Sequence, residues 1–118
     1  MARFDHVDSA IGIVRAPYDA NIDQADWDTV IGVGINAVGH AVKGSGQTGV
    51  VGVAVPGRTV YRAGQICDIM QKGDIVDVEG LAAGTKYYVS AAGELTTTDT
   101  DTYVGYTVEA DRLVVAGF

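Results

Sequence analysis

From Thr29 onward, short runs of Val, Ile, Tyr and Thr are separated by turns that carry glycine, and no window keeps a helical period over three turns. Thr29 to Ile35, Val38 to Lys43 and Gly49 to Val55 read as a hairpin or meander, with Gly44 to Gly49 as a turn-rich link. Pro56-Gly57 reverses the chain. Thr59 to Arg62 and Gln65 to Met70 then alternate, roughly, apolar with polar side chains, which predicts strands with one wet face. Lys72-Gly73 turns the chain again, before Asp74 to Glu79, the connector Gly80 to Gly84, and Thr85 to Ser90. After Ala92-Gly93 come Glu94 to Thr98, a polar tip at Asp99 to Thr102, and two last strands, Tyr103 to Glu109 and Arg112 to Ala116. Strands roughly eight to twelve residues apart, with a turn at each junction, predict an all-β fold, a small barrel or sandwich of short antiparallel strands.

Residues 1–28 have a different texture. They are rich in aspartate and carry scattered large apolar residues, among them Phe4, Ile11, Ile13, Val14, Tyr18 and Trp27, with no clean period. Two readings stand side by side: an extended N-terminal arm or lead-in ahead of a β-domain at 29–118, and a first strand over Ala10 to Arg15 that belongs to the core sheet. Asp19 or Asn21 is placed to cap a short helical turn running through Asp28.

Composition narrows the function classes. The chain has 118 residues, 47% of them hydrophobic and 19% charged, which suits one domain with one modest core. A net charge of -7 repels phosphate and argues against direct nucleic-acid binding. No run approaches the ~20 apolar residues of a membrane span, and Met1 to His6 lacks an apolar signal core, so no membrane partner is expected. Cys67, the single cysteine, lies in an apolar run and reads as a small buried residue.

No catalytic constellation emerges. Gly32-x-Gly34 misses the dinucleotide spacing, and Gly44 to Gly49 continues into Val50-Val51 where a phosphate loop needs Lys and Ser or Thr. His6, His40 and Cys67 are isolated, so no metal is expected. Asp99 and Asp101 alternate along an apparently extended tip and would project the same way, but the Gly and distal Glu of a calcium loop are missing. Ser9, Ser45 and Ser90 lack the context of an activated nucleophile. The chain is therefore expected to be no enzyme and to need no cofactor.

The aromatics point to a surface instead. Tyr87 and Tyr88 must face opposite sides of their strand, and Tyr103 and Tyr106 straddle another. Tyrosine on an outer face suits an interface or a carbohydrate platform. Phe118 at the chain end is expected to dock at a sheet edge or a subunit contact.

Gly84-Thr85-Lys86-Tyr87-Tyr88-Val89-Ser90-Ala91-Ala92-Gly93-Glu94-Leu95-Thr96-Thr97, then Val104-Gly105-Tyr106-Thr107-Val108-Glu109-Ala110 and Leu113-Val114-Val115, resembles the head decoration proteins of tailed phages, also called capsid cement proteins. That family carries a G-x-x-x-Y-x-x-x-x-G-x-L-T phrase ahead of a V-G-x-x-x-E-A strand and a final apolar strand. The likeness spans roughly residues 49 to 118, in phrases of strand and turn rather than of chemistry. It implies a structural protein, made in the host cytoplasm, that sits on the exterior of the expanded phage head as a homotrimer and stabilises the lattice of the major capsid protein. On that implication Phe4, Ile11, Ile13, Val14 and Tyr18 are candidates for a capsid-binding arm, and Trp27, Tyr103 and Phe118 for an oligomer or capsid contact. The alternative from another class is a carbohydrate- or receptor-binding β-module of a phage tail or cell surface, using exposed tyrosines and the polar tip.

Overall fold

The computed structural model describes residues 14–118. They form ten strands: β1 (Val14–Pro17), β2 (Ile31–Ile35), β3 (Ala41–Lys43), β4 (Val50–Ala54), β5 (Ile66–Ile69), β6 (Ile75–Asp77), β7 (Lys86–Val89), β8 (Leu95–Thr96), β9 (Thr102–Glu109) and β10 (Arg112–Val115), with one 3-10 turn at Gln24–Asp26. All paired strands are antiparallel, in three sheets ordered β1-β5, β3-β2-β4 and β6-β10-β9-β7-β8. The architecture is a small β-sandwich.

The middle sheet serves two cores. Ile31, Val33 and Ala54 pack on one side with Ala16, Tyr18, Cys67 and Ile69 from around the β1-β5 pair. Val53 packs on the other with Val76, Tyr87, Val89, Val104, Leu113 and Val115 of the five-stranded sheet. The sequence Ile31-Gly32-Val33-Gly34-Ile35 fits this position, because the period of two sends the branched side chains to the first core. The glycines let neighbours close in: a methyl on Gly32 would stand 3.1 Å from Val89 Cβ, and one on Gly34 would overlap the backbone of Gly44 and Ser45. Between the middle and five-stranded sheets, Gly32 N–H donates to Gly93 C=O (2.9 Å) and Ser45 N–H to Ala91 C=O (3.0 Å).

Three local expectations change. Thr59 to Arg62 is a turn, despite its alternation, because the Gln65 side chain occupies its backbone: Tyr61 and Arg62 N–H donate to Oε1 (2.9 and 2.8 Å), and Nε2 donates to Thr59 C=O (2.9 Å). The polar tip is a turn as well, closed by Asp101 N–H on Thr98 C=O (3.2 Å), so Asp99 and Asp101 do not alternate along an extended strand. The 3-10 turn starts after Asp23, with no side-chain cap, rather than after Asp19 or Asn21.

The boundary of the lead-in also moves. Residues 14–28 belong to the folded body: Val14 to Pro17 pair with Ile69 to Ile66, Tyr18 N–H donates to Gln65 C=O (2.9 Å), and Tyr18 is 3% exposed. The strand expected over Ala10 to Arg15 begins, within the described residues, at Val14; its earlier part lies outside them.

Candidate functional site: the outer face of the five-stranded sheet

One face of the five-stranded sheet carries Val76, Leu113, Thr107, Val115 and Tyr87 into the core. The register places a second set on the opposite face. Ile75 stands across from Val114, Val114 across from Tyr106, and Tyr106 across from Lys86, so these four form one transverse row over β6, β10, β9 and β7. Ile75 is 54% exposed and Tyr106 42%, and Val108, on the same strand as Tyr106, is 55% exposed. Val108 is set out by the irregularity that pairs Arg112 with Glu109 but Leu113 with Thr107. Beside the row, Tyr88 faces Tyr103, with ring centroids 5.4 Å apart. Singly exposed apolar residues are ordinary, but an apolar row aligned across three strands, with Lys86 at its end on the fourth, is the kind of patch that marks a binding surface.

Of the residues singled out from sequence, Tyr103 belongs to this face, as do Tyr88 and Tyr106. The other candidates for a capsid or oligomer contact do not. Trp27 is half-buried against Tyr61 (centroids 4.2 Å), with its indole N–H on Ile22 C=O (2.9 Å), so its ring and donor are engaged within its own chain. Phe118 packs against the core under the five-stranded sheet, and its C=O accepts from Lys72 N–H (2.7 Å), which docks the chain end at the turn before β6. Val14 packs against the first core and Tyr18 lies inside it, which removes Tyr18 from any arm contact. Phe4, Ile11 and Ile13 lie outside the described residues. Sequence reading missed Ile75, Val108 and Val114, because an apolar residue on the wet face of an alternating strand looks like a core residue until the register is known.

Ionic groups tie elements together elsewhere. Lys43 Nζ donates to Asp26 (2.8 Å) and Glu94 (2.6 Å), linking β3 to the 3-10 turn and to the β7-β8 turn. Partial burial opposes its charge, and the two carboxylates outweigh that, so its pKa stands above the ordinary lysine value. His40 Nδ1 lies 3.0 Å from Asp19, and this bond, aided by Asn36, holds the Asp19 carboxyl below its usual range. Burial, reinforced by the Cys67 thiol, pushes the Tyr18 phenol upward; burial likewise raises the Cys67 pKa, the reverse of nucleophile activation. Among the described residues no group of three or more His, Cys, Asp or Glu side chains gathers to hold a metal, and no helix is long and apolar enough to cross a membrane.

No protein-family model matches the chain, and no curated protein matches it. Among solved structures, a chain from Mycobacterium phage Patience shares the fold with a TM-score of 0.74, over 97% of this chain and 95% of that one, at 20% sequence identity.

Proposed function

We propose that this chain is a structural decoration protein of a phage head, which binds the exterior of the expanded shell as homotrimers and stabilises the lattice of the major capsid protein. The observation that carries this reading is the Ile75–Val114–Tyr106 row, exposed at Ile75 and Tyr106 and half-buried at Val114, on a fold shared with a phage chain. The phrases that resemble decoration proteins fall on β7, its turn, β8, β9 and β10, the strands that build most of this face. Binding here involves no catalysis. A protein that recognises only the expanded lattice stabilises it by mass action, and modest affinity per copy suffices when sites repeat. Phe4, Ile11 and Ile13 remain the proposed arm, now bounded by Val14.

The test is the copy number of this chain relative to the major capsid protein in purified particles of the phage that encodes it. Near-stoichiometric amounts are expected, with particles lacking the chain opening at lower temperature. A few copies or none overturn the reading. The Tyr88–Tyr103 pair beside the polar tip favours a second reading, a carbohydrate-binding module, since paired rings offer a stacking surface for a sugar. Glycan-array binding that is lost in Tyr103→Ala would support that reading.

A further inference from the structure

Among the described residues the five-stranded sheet ends in an uncovered edge: β6 pairs with β10 alone, and Asp74 C=O accepts from Val115 N–H while Val78 N–H donates to Asp111 C=O. Strand alternation therefore turns the N–H and C=O of Ile75 and Asp77 away from the sheet. Across a groove of about 270 Å³, β5 presents a second edge of the same kind. Its neighbour Met70 exchanges both backbone bonds with Val53 (3.1 and 2.7 Å), but none follows between Val55 and Asp68, and Pro56-Gly57 turns away. The backbone groups of Asp68 and Ile66, on the same side as those of Met70, face the groove with no paired strand among the described residues. Ile66 (52% exposed) and Ile75 (54%) line it.

The groove is not electrically neutral at its end. It shares Val55 and Asp77 with a neighbouring hollow that also holds Glu79, Asp111 and Asp28, where the one base among the described residues, Arg58, pairs with Asp28 (3.2 Å). Two facing strand edges, an apolar lining and a carboxylate-rich end together describe an occupant: one extended strand whose backbone bonds to both edges, apolar where it crosses the groove and basic beyond it.

We infer that this groove is a slot for an extended, basic-ended segment of a partner protein, which would close the gap between β5 and β6 into one continuous sheet. The geometry defines the chemistry of the segment; that its owner is the major capsid protein rests on the function proposed above.

Cys67 is the only cysteine and is 1% exposed, so a cysteine placed at an exposed position is the one thiol open to maleimide. Ile66→Cys and Ile75→Cys report on the two walls of the slot, and Val38→Cys, 70% exposed in the turn between β2 and β3, is the reference. In free protein all three should react readily. On purified expanded capsids, both slot variants should slow by at least about tenfold relative to Val38→Cys. Slowing of Ile75→Cys alone means that the partner covers the sheet face without entering, and overturns the slot while leaving the decoration reading intact. The slot is equally overturned if both variants bind capsids and stay reactive. Protection already present in free protein, whether relieved by removing residues 1–13 or dependent on protein concentration, identifies this chain or a second copy as the occupant and overturns a partner segment. Failure of the unsubstituted chain to sediment with capsids overturns both readings. Glu79→Gln with Asp111→Asn should weaken capsid binding and flatten its salt dependence, and unchanged binding would overturn the basic end.

Discussion

Among the described residues Thr107 is the one buried side chain of the polar, non-aromatic kind, and its hydroxyl is fully employed. It donates to Ala82 C=O and accepts from Thr85 N–H (3.0 Å), fastening the connector between β6 and β7 onto β9. Thr107→Val keeps the shape and removes both bonds. The Thr85 donor is half-buried and loses its acceptor, at a cost of about 1–3 kcal/mol, while the Ala82 carbonyl lies on an exposed residue where water replaces much of what it loses. Allowing for the added apolar surface, the net loss is about 2 kcal/mol. A chain of this size shifts by ~4 °C per kcal/mol, so the melting temperature should fall by about 8 °C. Thr107→Ser keeps the hydroxyl and gives up one methyl, for about 1 kcal/mol and half that shift. Urea unfolding gives the two losses, and amide exchange shows where they fall, with Thr85 N–H exchanging faster in the Val variant only. If Val is as stable as Ser, or Thr85 exchange is unchanged, the hydroxyl does not hold the connector and the reasoning fails.

Truncation separates the arm from the fold: a chain starting at Val14 keeps every contact described above and should unfold cooperatively, whereas one starting at Asp19 loses β1, Ala16 and Tyr18 and should show no cooperative transition by circular dichroism. Lys43→Met leaves the largely buried Asp26 carboxylate without its cation and should cost about 2 kcal/mol in urea unfolding, part of which Asp26→Asn restores in the double variant. Asp19 has a depressed folded pKa, so the stability it adds is complete above the unfolded carboxylate pKa and disappears as pH falls through the lower folded value. Melting curves from roughly pH 7 downward should accordingly show Asp19→Asn less stable than the parent at neutral pH, with the difference narrowing as the solution is made more acidic.

The β-rich architecture was legible because its strands are short, branched and punctuated. Turns such as Lys72-Gly73 and Ala92-Gly93 announce themselves, with positive φ at Gly73 (99°) and Gly93 (88°). Thr59 to Arg62 was misread because period two describes side chains, and what decides that segment is a glutamine side chain bonding its backbone. Tyr18 looked like part of an arm because β1 is four residues long and its partner, β5, lies some fifty residues away. No local signal carries such a pairing. The outer row and the slot were hidden for the same reason: each depends on which strands become neighbours, and Ile75 is a core residue in composition but a surface residue in register.

The pairing of β1 with β5 also sets an order of events during synthesis. β2, β3 and β4 leave the ribosome between the two partners, so β1 has no partner strand until β5 has been made. β6 waits likewise for β10, while β7 with β8 and β9 with β10 close locally. Long-range closures are the slow ones. The two strands that border the open groove are therefore tied down by the longest-range strand pairings among the described residues.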